Sequence, residues 1–266
     1  MVNDNIAPQP CQVSFLVSVI AHQSPTLFFA AQSESANPCY FSIMTFTDRT
    51  AIVTGAGSGL GRALALGLAA AGARLALLGR RGDRLEQTAD QCRALGAPVW
   101  TRPTDVSVSV EVASAVEEAR MELGPISILI NNAGIFPPKR PVAEVDIVDW
   151  DQTLATNLRG PFLLMRAVLP GMIAANYGRI VNISAPLKHF PTASAYCASK
   201  CALDSLTKTA AFELRGKDIL INAVEPPFLD TEMHAGGRPP ESVVPAILEL
   251  AALPAGSPTG RIVKLE

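Results

Sequence analysis

The chain has 266 residues, 48% of them hydrophobic and 17% charged, with a formal net charge of −2. That length and composition allow one large α/β domain with a sizeable core. The near-neutral balance, without any run of like charges, leaves no electrostatic footprint for nucleic acid or an anionic membrane, so a small ligand is expected.

Five cysteines (Cys11, Cys39, Cys92, Cys197, Cys201) form an odd set with no Cys-x-x-Cys pair and no histidine spacing suited to zinc. Reduced thiols in a cytoplasmic compartment and no metal site are the reading this supports. The first 48 residues contain no Lys or Arg. Their longest apolar stretch is too short to span a bilayer, and the basic region of a targeting signal is missing. Residues 1–43 therefore read as a poorly ordered N-terminal extension, and residues 44–266 as the domain.

Within the domain, Thr50–Val53 is a short buried-strand pattern, and an Ala- and Leu-rich helical run follows from Leu60 to Ala71. Between them lies Thr54-Gly-Ala-Gly-Ser-Gly-Leu-Gly61. Glycines there let the backbone turn with positive φ and approach a ligand, and the N–H groups that open the helix offer a place for phosphate. No Gly-Lys-Ser/Thr follows, which argues for a dinucleotide rather than a nucleoside triphosphate. Arg74–Leu78 is a second strand, ending in Gly79-Arg80-Arg81. In dinucleotide folds an acid near this place bonds the ribose hydroxyls, whereas arginine suits a 2′-phosphate. Arg80 and Arg81 thus favour a phosphorylated cofactor over simple solvated loop charges.

Strand and helix keep alternating: a helix over 83–95, a strand over 98–102, a helix over 107–123 and a strand over 126–130. Asp105, just past the third strand, can meet an adenine amino group or simply cap a helix. Asn131-Asn132-Ala133-Gly134 closes the fourth strand and suits side-chain bonds that knit neighbouring strands. The helical run 149–167 carries a polar Asn157 among leucines, with Gly160-Pro161 placed to bend it. A fifth strand, 178–183, ends at Ser184. The next helix, 195–214, carries Tyr196 and Lys200 four apart on one face. An ammonium beside a phenol favours the phenolate and is expected to lower the Tyr196 pKa toward working pH.

Taken together, TGAGSGLG at 54–61, NNAG at 131–134, Asn157, NIS at 182–184, YCASK at 196–200 and INAVEPP at 221–227 resemble the short-chain dehydrogenase/reductase family. The resemblance covers residues 44–266. It implies a doubly wound parallel sheet of Rossmann type that binds a nicotinamide cofactor and interconverts a carbonyl and a secondary alcohol. By that match Tyr196 is the general acid/base, Lys200 bonds the nicotinamide ribose, Ser184 holds the substrate oxygen and Asn157 anchors a water. Gly55, Ser58, Gly59, Leu60, Gly61, Arg80, Asp105, Asn132 and Thr231, with Tyr196 and Lys200, would line the cofactor, and Arg80 favours NADP(H) over NAD(H). Family members are usually homo-oligomers.

Two departures bear on the site. Ser184 precedes Tyr196 by twelve residues rather than the family's about thirteen, and Ala185 follows it, so the loop 185–195 is shortened. Pro226-Pro227 replaces a Pro-Gly, which removes an N–H near the cofactor. The lid-like stretch 226–245 is short, and His189 and His234, in the two loops bordering substrate, read as solvated. A dinucleotide-binding sensor that has lost its chemistry is the rival reading; retention of Asn157, Tyr196 and Lys200 together favours an enzyme.

Overall fold

A computed structural model describes residues 45–266. The expectations for residues 1–43, and the boundary at Met44, lie outside the described residues. Seven strands make one sheet: β1 (Thr50–Thr54), β2 (Arg74–Gly79), β3 (Val99–Pro103), β4 (Ile126–Asn131), β5 (Gly178–Ile183), β6 (Ile219–Glu225) and β7 (Ile262–Lys264). Their order is β3-β2-β1-β4-β5-β6-β7, and every pairing is parallel. This is the doubly wound sheet that the alternation of strand and helix predicts.

The helices are α1 (Gly59–Ala70), α2 (Gly82–Ala94), α3 (Ser109–Leu123), α4 (Ile147–Leu154), α5 (Gly160–Ala175), α6 (Ser194–Glu213) and α7 (Val244–Ala251). They cover both faces, so strands such as β1 and β5 are buried at every residue, as Val/Ile-rich parallel strands must be. Alternate strand residues serve opposite layers. Val53, Leu77 and Val181 pack with Leu64 and Leu68 of α1, Leu85 of α2 and Ile247 of α7. Ile52, Leu129 and Ile180 pack with Val112 and Val116 of α3, Leu164 and Val168 of α5 and Ala211 of α6.

The expected bend at Gly160-Pro161 takes another form. A π-helical turn, Ala155–Arg159, joins α4 to α5, and Pro161 then sits in the first turn of α5, where its missing N–H is tolerated. Gly160 is there for space: a Cβ would stand 2.8 Å from Val106 Cγ2. The combined run Ile147–Ala175 is, among the described residues, the one helix long and apolar enough to cross a membrane. In this fold its Leu163, Leu164, Met165, Val168 and Met172 belong to the core. Because the chain leaves β1 on one side and β4 on the other, the segments after these two neighbouring strands diverge and open a crevice at the carboxyl edge of the sheet.

Candidate active site

β1 delivers the chain into the glycine turn at that crevice. Gly55 and Gly59 have φ of 63° and 50°, a region that favours glycine. Gly61 does not; it is required by contact instead, since a Cβ would lie 2.2 Å from the Gly55 carbonyl oxygen and 2.5 Å from Asn132 Nδ2. Asn132 locks the turn to β4: its backbone N–H donates to Thr54 Oγ1 and its Nδ2 to the Thr54 carbonyl, each at 2.9 Å. One strand position earlier, Asn131 donates to Asn182 Oδ1 at 2.8 Å, so the double Asn ties β4 to both neighbours.

The N-cap of α1, Ser58, makes no side-chain cap, and no acid stands in the first turn. The opening N–H groups therefore remain available to an anion. They border a cavity of ≈ 590 Å³ that runs from Ser58, Gly59 and Leu60 past Arg80 and Asp105 to Tyr196. A continuous crevice with an open helix N-terminus at one end and a phenol at the other fits a nicotinamide dinucleotide. Thr231 lines it as well, with its methyl close to Gly59.

Around the adenosine end the two arginines differ. Arg80 lines the cavity and has no hydrogen-bond partner among the described residues, whereas Arg81 donates to Ser58 Oγ (3.1 Å) and to Glu232 Oε2 (2.8 Å). Asp105 uses one oxygen in a local turn, accepting from Ser107 N at 2.9 Å and Ser107 Oγ at 2.7 Å.

At the other end α6 presents Tyr196 and Lys200 on one face, with Lys200 Nζ 5.7 Å from the Tyr196 ring centroid. The Tyr196 hydroxyl has no hydrogen-bond partner among the described residues, while Lys200 Nζ donates to the Ile183 carbonyl at 2.7 Å. The expected lowering of the tyrosine pKa is not what the ligand-free site produces. Burial pushes the Tyr196 phenol up to about 12, with Cys197 adding in the same sense. Burial also pulls the Lys200 ammonium down to about 8, helped by the charge of Lys188 and opposed by Asp204. Desolvation is the largest cause for both groups, which are buried in the same wall.

A stability signature follows from the buried lysine. Between pH about 8 and its ordinary 10.5 the folded chain has released a proton that the unfolded chain still binds, so stability rises with pH across that window. Below pH about 8 the cost of burying the charge is present in full. Urea midpoints measured at several pH values should rise through the window in the wild type, relative to Lys200→Met; parallel curves would contradict the buried charge.

Asn157, in the π turn, is fully buried. Its Oδ1 accepts from Ile135 N (2.8 Å), and its Nδ2 donates to the Ile135 carbonyl (2.9 Å) and to Ser199 Oγ (3.1 Å). Its side chain thus clamps the segment after β4 to α6. Ser184 directly follows β5 at the crevice, but its hydroxyl donates to Asp204 Oδ1 at 2.6 Å and accepts from Lys188 Nζ at 2.8 Å. No bond joins it to Tyr196 in this arrangement. Ser194, the nearest alternative hydroxyl in sequence, has a buried Oγ without a partner.

Phe136, which the sequence pattern does not single out, lies over Tyr196 with ring centroids 4.6 Å apart. His234, expected to be solvated, lines the cavity and meets the Phe136 ring edge-on at 5.1 Å. His189 is exposed, as expected. Lys188, Asp204 and Glu225 were also beyond sequence reasoning; Asp204 at four residues after Lys200 on one helix was the only available signal.

Fold and crevice together define a dinucleotide-binding α/β oxidoreductase. A family model described as short chain dehydrogenase matches residues 49–242. The chain is 37% identical over 227 residues to cis-4-hydroxycyclohexanecarboxylate dehydrogenase of Sinomonas cyclohexanicum, covering 83% of this chain and 86% of that one. Its structure is similar to levodione reductase (TM-score 0.79, 28% identity, 83% of this chain and 97% of that one). It is also similar to NAD+-bound xylitol dehydrogenase (TM-score 0.78, 27% identity, 83% and 98%). The protein belongs to the short-chain dehydrogenase/reductase family, whose enzymes use nicotinamide dinucleotides on alcohol and carbonyl substrates.

Proposed function

We propose that the protein is an NADP(H)-dependent oxidoreductase that interconverts a carbonyl and a secondary alcohol, with Tyr196 as general acid and base. The observation that carries this reading is the crevice joining the glycine turn to Tyr196, whose hydroxyl has no hydrogen-bond partner among the described residues. A bound nicotinamide dinucleotide supplies the hydride chemistry; the protein's own residues manage binding, orientation and the proton.

At neutral pH a phenol raised by burial is protonated and stands as the proton donor to a substrate oxygen in reduction. Lys200, held by Ile183 O, is the residue to bond the nicotinamide ribose and to supply positive charge as the phenolate develops. Asn157 ties the segment after β4 to α6 and is the proposed anchor of a water. Ser184 reaches a substrate oxygen by exchanging its Asp204 partner for the substrate. Gly55, Ser58, Gly59, Leu60, Gly61, Asp105, Asn132 and Thr231 form the proposed cofactor bed. Phe136 and His234 give the substrate side an aromatic wall. The first substrate to try is therefore cis-4-hydroxycyclohexanecarboxylate, the compound that names a relative. Cofactor reduction by this alcohol, followed by absorbance, tests the reading; no turnover with it or with any other secondary alcohol would count against it.

Preference for NADP(H) is supported by Arg80, which lines the cavity without a side-chain partner among the described residues, and by the glycine rather than an acid at position 79. A charge-assisted bond to a 2′-phosphate contributes ~1.5–3 kcal/mol, or roughly one to two decades. Fluorescence titration should give tighter binding of NADPH than NADH by that margin, and Arg80→Ala should remove most of it. Equal affinities in the wild type would overturn the preference. A homo-oligomer and a cytoplasmic location belong to the same reading, supported by the exposed apolar Ile147, Val148 and Phe162 and by the free thiols of Cys92, Cys197 and Cys201.

A further inference from the structure

Beneath the Tyr196–Lys200 pair lies a charged cluster that the roles above leave without a task. Lys188, in the shortened loop between β5 and α6, places Nζ 2.5 Å from Asp204 Oδ2, 3.2 Å from Glu225 Oε1 and 2.8 Å from Ser184 Oγ. The side chains of Lys188, Asp204 and Glu225 are only 19%, 15% and 16% exposed, so solvent screens them less than an ordinary surface pair. They come from three elements: the loop, α6 and the end of β6. Asp204 follows Lys200 by one helical turn and thus shares its face of α6.

Below pH about 8, where Lys200 holds its proton, two carboxylates and two ammonium groups, Lys188 and Lys200, sum to zero. Without Lys188 the pair of carboxylates would face Lys200 alone, and the carboxylate one turn away would compete with Ile183 O for its ammonium. The other polar groups in contact with the cluster are the Ser184 hydroxyl, directly after β5, and the Cys201 thiol, which contacts the Lys188 carbonyl at 3.8 Å; Cys197 is the group that acts on the Tyr196 phenol.

We infer that Lys188 is a positioning residue for proton transfer: by holding Asp204 and Glu225 it keeps Lys200 directed at Ile183 O and the Tyr196 ring, and sets the charge against which Tyr196 titrates. The inference rests on Tyr196 being the proton-transfer group. A simple loop staple would hold the 185–193 segment without affecting that titration. The shortened loop then has a function of its own, since it brings a cation within reach of α6.

The sign is definite. Lys188→Met leaves excess negative charge, which disfavours the phenolate, so the Tyr196 titration moves to higher pH. Asp204→Asn removes negative charge and moves it to lower pH. Shifts of about one pH unit are expected for charges at this range. Two readouts test this: the acid limb of kcat for oxidation of cis-4-hydroxycyclohexanecarboxylate, with Tyr196→Phe as the blank, and the pH at which the urea midpoint of the ligand-free protein begins to rise, with Lys200→Met as the blank. Lys188→Met removes a repelling charge and moves that rise to higher pH, and Asp204→Asn moves it to lower pH.

Lys188→Arg should restore the wild-type titration, and Lys188→Met combined with Asp204→Asn should return most of the way. If Lys188→Met fails to fold, the single Asp204→Asn and the double variant still decide. An unmoved titration in any folded charge-changing single variant, with a loss of melting temperature alone, overturns the inference, as does a shift of Asp204→Asn to higher pH. A wild type that oxidises no alcohol would defeat the reaction reading, while the pH dependence of the urea midpoint would still decide the place of Lys188.

Discussion

Tyr196→Phe is expected to lower turnover by at least ~10²-fold and to leave cofactor affinity within about twofold of the wild type. Phenylalanine keeps the ring, and with it the packing against Phe136 at 4.6 Å, but removes a hydroxyl that has no hydrogen-bond partner among the described residues. General acid catalysis by a positioned group contributes about 10²–10⁴-fold, and no neighbour is placed to take over. Ser184 is committed to Asp204 and Lys188, and the Ser194 hydroxyl is buried. Lys200→Ala should differ in kind, with both turnover and cofactor affinity reduced. Steady-state kinetics with a cofactor titration separate the two variants; a Tyr196→Phe enzyme that keeps more than a tenth of wild-type kcat would remove Tyr196 from the proton step.

Gly61→Ala destabilises the protein by about 3 kcal/mol or more and raises the cofactor Kd at least ~10²-fold. The added methyl has nowhere to go. At 2.2 Å from the Gly55 carbonyl oxygen and 2.5 Å from Asn132 Nδ2, it must push apart the glycine turn and the bond that ties that turn to β4. Nothing flexible can yield, because one obstacle is backbone and the other is fixed to Thr54. Gly171→Ala is the control. That residue lies in α5 with nothing within 4 Å of the added atom, so a gain of about 0.5–1 kcal/mol from helix propensity is expected. Thermal melts and fluorescence titration check both; an unperturbed Gly61→Ala protein would mean that the turn is looser than its geometry.

The sheet was legible in the sequence because each strand is a short Val/Ile/Leu run followed by a turn residue and a helical period, so alternation alone dictates a parallel, two-sided layer. The cofactor turn, the Asn131-Asn132 knit and the Tyr196–Lys200 spacing were legible for a similar reason: neighbours in sequence or along one helix face carry them. What escaped depends on long-range proximity. Arg179 sits wholly within the sheet, satisfied by Asp218 and by the Gly178 and Leu253 carbonyls, and no local pattern distinguishes it from an edge-strand arginine. The π turn at Asn157 is a register change that composition does not encode. The direction of the Tyr196 pKa was misjudged because spacing reports the ammonium nearby but not the burial of both groups. The Lys188 cluster joins residues 184, 188, 204 and 225, and only the fold brings them together.

The most direct test of the central claim is a stoichiometry. Purified protein is incubated with NADPH and, separately, ketones, aldehydes, quinones and oxoacyl thioesters; cofactor loss is followed by absorbance, and the organic product is identified. The account predicts that at least one ketone is consumed with one secondary alcohol formed per NADPH oxidised, and that Tyr196→Phe all but abolishes the reaction. Tight NADPH binding without consumption of any compound, by wild type and Tyr196→Phe alike, would contradict it and leave a dinucleotide-binding sensor.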